Sequence, residues 1–248
     1  MLADSLRKSI LQAAIEGKLT QREPGDGDAR DLLAEIQEEK ARLVSEGKIR
    51  RAAPLPPIAD DEIPFDIPDN WRWVRLGEIG NIIGGGTPKT TNPEYWNNGT
   101  IPWITPADMS SLNSKYISRG ARNITESGLN SSSAQLMPKG TVLFSSRAPI
   151  GYVAIAENDL STNQGFKSIV PFNIALSDYL YFMLLAIKER IEKMGSGTTF
   201  KEVSGATVAF VVVPLPPLSE QRRIVARLEE LLPLVDELGE MEKELSEL

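Results

Sequence analysis

Apolar residues recur at helical spacing at both ends of this 248-residue chain and at strand spacing between them. Near the start, Leu2, Leu6, Ile10 and Ala13, with Leu11 and Ile15 beside them, share one side of a helix, and Gly17 is a stop signal. A turn-rich stretch, TQREPGDGDAR, leads to a second helix over Asp31–Glu46, with Leu32, Leu33, Ile36, Leu43 and Val44 on one side and Gly47 at its end. Five prolines (Pro54, Pro56, Pro57, Pro64 and Pro68) mark Ala52–Asn70 as an extended linker, partly polyproline in character.

From Trp71 the period shortens. WRWVRLGEIGNIIGG alternates like a strand, and IPWI, GTVLFSS, GYVAIA, FKSIVPF and TVAFVVVPL are further β-prone pieces between loops rich in Gly, Pro, Asn, Ser and Thr. One helix interrupts them, with Leu180, Met183, Leu184, Ile187, Ile191 and Met194 in phase and Ser177 as its expected cap. After Pro214, Pro216 and Pro217 the last segment is helical. Ser219 is its expected N-cap and Glu220 lies in the first turn. Ile224, Leu228, Leu231, Val235 and Leu238 step by four and three, as in a coiled-coil seam, while Pro233 is expected to kink or loosen it. Such a seam needs a partner helix, from this chain or another. The expected fold is α+β: N-terminal helices over 1–50, a linker over 51–70, a mixed, mostly-β domain over 71–217 and a spacer or dimerisation helix over 218–248.

Composition narrows the chemistry. The chain has no cysteine and no histidine, which excludes disulfides, thiolate or imidazole metal sites, and Ser-His or Cys-His catalysis. No catalytic or metal-ligating set is expected. The N-terminus lacks a secretory apolar core, and no run reaches the ~18 apolar residues of a membrane span. A cytoplasmic protein without membrane partners is expected. The net charge is −7, yet Trp71–Val213 holds 13 Lys/Arg against 10 Asp/Glu, so the acidity lies in the helical ends. That asymmetry permits nucleic-acid binding without implying it; solvated helix faces account for the acidic ends equally well.

PLPPLSEQRRIVARLEELL, LRKSILQAAIEGKLTQ followed by DLLAEIQEEKARL, and the interior phrases WRWVRLGEIGNIIGGGTPKTTNPEYWNNGTIPWITPADM, ITESGLNSSSAQLMPKGTVLFSSRAPIGYVAIAENDLSTNQGF and GSGTTFKEVSGATVAFVVVPLPP together resemble the specificity (S) subunits of type I restriction-modification systems. The resemblance covers essentially the whole chain, and the order of the phrases makes it specific. It implies a non-catalytic subunit with target-recognition domains that each read half of a bipartite duplex DNA sequence in the major groove. It further implies helices that dock methyltransferase subunits and, through them, restriction subunits. S-adenosylmethionine, ATP and Mg are then expected on those partners, with none on this chain. Full S subunits carry two recognition domains and this chain carries one. That is the pattern of a half-subunit, natural or cut before a second domain. Joining EKELSEL to LADSLRKSIL would make one continuous helix, and pairing with a second half or as a homodimer is expected. Leu6, Ile10, Ala13, Ile224, Leu228, Leu231, Val235 and Leu238 are the expected interface.

Four loops are candidates for DNA contact, because they carry donors, acceptors and cations. Gly84–Trp96 offers Thr87, Lys89, Thr90, Thr91 and Asn92, with glycines that allow close backbone approach; the competing reading is a solvated turn. Ser145–Gly151 offers Ser146 and Arg147, the latter for guanine or phosphate, or for a structural ion pair. Ser161–Phe166 offers Asn163 and Gln164 for adenine, or for turns tied to their own backbone. KMGSGTTFK supplies Lys193, Ser196, Thr198 and Lys201 for phosphates. Trp71, Trp73, Trp96 and Trp103 read as core or loop anchors. NPEY at Asn92–Tyr95 resembles an amino-methyltransferase motif, but Glu94 stands where that motif has proline and no glycine-rich cofactor loop opens a βαβ unit. The functions to be weighed against DNA specificity are a stand-alone DNA adenine methyltransferase and a purely structural coiled-coil adaptor.

Overall fold

The computed structural model describes residues 2–147, 149–197 and 201–247. Helix α1 (Leu2–Ile15) ends before Gly17, whose φ of 69° is the left-handed conformation expected of a stop. Helix α2 (Ala29–Ser45) starts two residues earlier than its apolar pattern suggests, because the Asp28 carboxylate accepts from Arg30 N at 2.8 Å and caps it. The proline-rich linker is strapped down rather than free. Arg75 is buried and donates to the Pro56 and Pro57 carbonyls, to Phe210 O and to both oxygens of Glu62.

The central part follows the α+β expectation, with short helices between its strands. WRWVRLGEIGNIIGG is not one strand. It divides into β1 (Arg72–Arg75), a helical turn α3 (Leu76–Ile79) and β2 (Gly80–Gly84). Then come β3 (Ile101–Ile104), α4 (Pro106–Met109), β4 (Tyr116–Ile117), β5 (Arg122–Ile124), α5 (Glu126–Asn130), β6 (Val142–Phe144), β7 (Val153–Ala156), β8 (Ser161–Thr162) and β9 (Lys167–Pro171). Helix α6 (Ser177–Lys193) follows, then α7 (Gly205–Phe210), β10 (Val212–Leu215) and α8 (Leu218–Ser246). The first half of TVAFVVVPL is therefore helical, despite its β-branched residues. Ser204 Oγ accepts from Thr207 N at 3.0 Å, and that cap together with burial of Val208 outweighs strand propensity.

The strands form three sheets: β1 with β10; a five-stranded sheet in the order β2-β9-β6-β7-β4; and a three-stranded sheet in the order β5-β3-β8. In the last, β3 is antiparallel to β5 (Trp103 opposite Arg122) and parallel to β8 (Ile104 opposite Thr162). One apolar core runs from Leu11, Ile15, Leu32 and Ile36 through Trp71, Ile169 and Met183 to Ile224 and Leu228. It crosses every boundary drawn from the sequence, so helical ends and central domain share an interior.

Two expected caps are corrected. Ser177 is the first residue of α6, and its hydroxyl donates to Gly140 O (2.7 Å) and Ile174 O (2.9 Å). Helix α8 starts from Pro217, and the Ser219 hydroxyl instead donates to Asp26 O at 2.8 Å. The expected break at Pro233 does not interrupt α8. Pro233 lies on the exposed side, where water can take the carbonyl its missing N–H leaves over.

Helix α8 finds its partner within the chain. It packs antiparallel on α1: Glu242 accepts from Leu2 N and Ala3 N, Arg7 pairs with Asp236, and Thr20 reaches Glu220. The buried stripes differ from the predicted ones. On α8 they are Ile224, Leu228, Leu232 and Val235, with Leu231 and Leu238 only half-buried. On α1 they are Ala3, Leu11, Ala14 and Ile15, while Ile10 and Ala13 are half-buried and Leu6 is exposed. Helix α8 also packs on α6, and burial against two neighbours demands a wider stripe than a two-helix seam.

Lys115, just before β4, ties the central domain to α8. Its ammonium pairs with Asp178 at 2.7 Å and with Glu229. Burial alone would depress this ammonium, but the hydrogen bonds and charges of Asp178 and Glu229 together hold it above its ordinary value. Lys115→Met is expected to cost about 1–2 kcal/mol in urea unfolding, since both carboxylates stay partly hydrated. No described helix is long and apolar enough to cross a membrane.

A candidate DNA interface built from four loops

The four loops singled out in the sequence are joined end to end by backbone hydrogen bonds. Gly86 N donates to Thr162 O at 2.9 Å, tying Gly84–Trp96 to the end of β8. Ser146 N donates to Gly165 O at 2.8 Å, tying Ser145–Gly151 to the other side of that turn. Val203 N donates to Ser146 O at 2.8 Å, and Ser196 exchanges two hydrogen bonds with Glu202 (3.0 and 2.9 Å), closing the fourth loop onto the third. Strand β8 and its turn are thus the axis of a continuous loop surface.

The glycines of the first loop serve the loop's own packing. A Cβ on Gly85 would lie 1.9 Å from Asn163 O and 2.5 Å from Thr162 O, and one on Gly86 2.3 Å from Ala134 N. The close approach that the sequence reserves for a ligand is therefore made to the chain's own backbone. Two tryptophans pin the loop from beneath: Trp103 Nε1 donates to Gly86 O (2.9 Å) and Trp96 Nε1 to Lys89 O (3.2 Å). Their rings meet edge to face at 5.1 Å. Trp71, Trp96 and Trp103 are buried and Trp73 is half-buried.

Held this way, Thr87, Lys89, Thr90 and Thr91 are exposed on the first loop, as are Gln164 on the third and Lys193, Ser196 and Lys201 on the fourth. Thr87 and Gln164 hydrogen-bond through their side chains, linking the two loops at the surface. Asn163 is half-buried, and its Oδ1 accepts from Gly165 N at 2.9 Å, so half of its amide builds the turn. Asn92 likewise spends its Oδ1 on Glu94 N at 3.2 Å. Ser146 is corrected: it is fully buried, its hydroxyl lies on Gly165 O at 3.3 Å, and it is out of reach of any ligand. Arg147 is half-buried and its backbone pairs with Glu202. Thr198 lies outside the described residues.

Beside the third loop lies a groove of about 640 Å³, lined by Thr105, Pro106, Arg147, Tyr152, Asn163 and Gln164. Its far wall, the start of α4, is absent from the sequence-based site. Asp108 fixes that wall by accepting from Thr105 N (2.8 Å), Thr105 Oγ1 (2.6 Å) and Ala121 N (2.8 Å). A surface of amide, hydroxyl and cationic groups on pinned loops, beside a groove, suits a polar polyanion with patterned edges. Among the described residues no group of three or more Asp or Glu is placed to hold a metal ion.

Residues 68–245 match the family model of the type I restriction modification DNA specificity domain. The chain belongs to this family. Among relatives of this DNA specificity family, it is 44% identical over 184 residues to the type I restriction enzyme MjaIX specificity subunit of Methanocaldococcus jannaschii, covering 73% of this chain and 41% of that subunit. It is 30% identical over 256 residues to the EcoAI specificity subunit of Escherichia coli, covering 95% of this chain and 41% of that subunit. The solved HsdS subunit from Thermoanaerobacter tengcongensis superposes with a TM-score of 0.55 at 25% identity, over 96% of this chain and 51% of that one. The chain spans about two fifths of the length of these curated members of the family.

Proposed function

We propose that this chain reads one half of a bipartite duplex DNA target for a type I restriction-modification complex, without catalytic chemistry of its own. The carrying observation is the continuous loop surface about β8. Thr87, Lys89, Thr90, Thr91 and Gln164 stand exposed on loops locked from beneath, as base readout demands of donors and acceptors. Lys193, Ser196 and Lys201, together with Thr198, are the phosphate-positioning set. The antiparallel pair α1/α8 is the spacer on which methyltransferase subunits dock and through which restriction subunits join. S-adenosylmethionine, ATP and Mg belong to those partners. A second half-subunit or a second copy covers the apolar side of the helix pair, where Leu2, Leu6, Met241 and Leu245 remain exposed. Two identical copies would read inverted repeats.

Mapping methylated adenines in DNA modified by the chain together with a type I modification subunit tests this reading. The expected result is a bipartite motif, one half of which changes in Gln164→Ala. Methylation without a sequence motif would favour a structural adaptor, and S-adenosylmethionine binding by the isolated chain would favour a methyltransferase. Either result overturns the proposal.

A further inference from the structure

Arg122, in edge strand β5, is exposed, and its guanidinium carbon lies 3.6 Å from the centroid of the Trp96 ring. Several other arginines are engaged: Arg30 and Arg72 by Asp28, Arg42 by Glu39 and Glu46, Arg75 by Glu62, Arg223 by Asp26, and Arg190 by Val212 O. Among the described residues Arg122 makes no ion pair and no side-chain hydrogen bond; its contact is the indole face. That contact leaves the in-plane N–H edge of the guanidinium available, whereas a carboxylate partner would consume it. It also removes much of the rotamer freedom that a long side chain loses on binding.

The platform is itself fixed. Trp96 is held by its hydrogen bond to Lys89 O and by the edge of Trp103, and Trp103 in turn holds Gly86 O. Strand pairing sets Arg122 opposite Trp103, and Ala121 N on Asp108 pins the turn before it. Arg122 therefore stands at the foot of the loop bearing Thr87, Lys89, Thr90 and Thr91. It is also braced through Asp108 to the α4 wall of the groove.

We propose that Arg122, stacked on Trp96, is a pre-positioned DNA contact that takes two adjacent acceptors. These are either two oxygens of one phosphate or O6 and N7 of one guanine. This inference rests on the DNA-reading function proposed above. Sequence inspection passes over Arg122 because it lies in an unremarkable phrase, RGARNI, about 25 residues from the tryptophan that orients it.

The test uses the full chain and a randomised 40-bp duplex pool, with affinity measured from low to moderate salt and the bound fraction sequenced. Arg122→Leu keeps the indole covered but removes the donors; Arg122→Lys keeps the charge but loses the fork. Unfolding curves and tryptophan fluorescence matching wild type establish that the loop is intact. Affinity about tenfold lower in Arg122→Leu is expected. For a phosphate contact the loss is uniform across sequences and the log–log salt slope falls by about one. For a guanine contact one position of the selected motif relaxes and Arg122→Lys does not restore it. Folded variants with wild-type affinity, salt slope and motif overturn the inference and leave the DNA-reading function standing. Absence of salt-dependent binding by the wild type overturns both.

Discussion

Arg223→Ala is expected to lower the unfolding free energy by about 3–5 kcal/mol at neutral pH, the cost of stranding a buried charge. Arg223 donates to Asp26 Oδ1 at 2.6 Å and to Oδ2 at 2.7 Å, and only 2% of the Asp26 side chain is exposed. Glu23 N and the Ser219 hydroxyl complete the carboxylate's partners. The Arg223 hydrogen bonds, with lesser help from Glu23 N and Ser219, hold the Asp26 carboxyl down to about 2, from an ordinary 3.8. A depressed carboxyl stabilises the fold above its unfolded value and loses that contribution as pH falls through the folded one. Here the window runs from about 4 down to about 2, and because the Arg223 side of the pair is part-exposed and screened by solvent the contribution is about 1–2 kcal/mol. The difference between wild type and Arg223→Ala should therefore shrink as pH is lowered through that window. Urea titrations at several pH values measure it; a difference independent of pH would show that the ion pair is not its source.

The same knot explains the abrupt junction PLPPLSEQRR. Trp71 Nε1 donates to the buried Glu220 at 2.8 Å, Gln221 Nε2 to Pro216 O at 2.7 Å, and Tyr179 O–H to Pro214 O at 3.1 Å. Burial pushes the Tyr179 phenol well above its ordinary value, so it remains a donor. Pro216 and Pro217 follow the end of β10, and the polar residues after them bind the N-terminal loop to the start of α8. The orientation of the central domain relative to α8 is set here and at Lys115.

Gly85→Ala is expected to destabilise the protein by about 3 kcal/mol and to abolish sequence-specific DNA binding. Overpacking usually costs 1–3 kcal/mol, and this site stands at the upper end because the added carbon meets backbone oxygens of Thr162 and Asn163, which cannot rotate away. The loop would have to lift from β8, breaking Gly86 N to Thr162 O and separating Thr87 from Gln164. Thermal unfolding together with selection on a duplex pool checks both parts. A variant as stable as wild type, with an unchanged motif, would show that the loop is not seated by this contact. Gly84→Ala is the matched control, since its Cβ would meet Lys167 Cδ at an ordinary 3.8 Å.

Much of the architecture was legible because it depends on short-range pattern. The periods of α1, α2, α6 and α8, the Gly17 and Gly47 stops and most β-prone pieces require only neighbours a few residues apart. Misreadings occur where a distant group captures a local signal. Ser219 has the position of an N-cap, but Asp26, 193 residues away, takes its hydroxyl. Ser177 is drawn to Gly140 O in the same way. Leu231 fits a seam repeating every 3.5 residues, but two packing neighbours turn Leu232 inward instead.

The candidate interface divides along the same line. The sequence by itself determined its chemical inventory, with no histidine or cysteine and polar, Gly-rich loops in a mildly basic centre, and it carried the family phrases. Tertiary structure alone decided that the four loops share one axis, that Ser146 is interior, that Asn163 is half spent on its own turn, and that Arg122 rests on Trp96. The physical reason is that availability for binding is a property of what remains unpaired after folding. Which donors and acceptors remain is settled by hydrogen bonds and stacking between residues far apart in the chain.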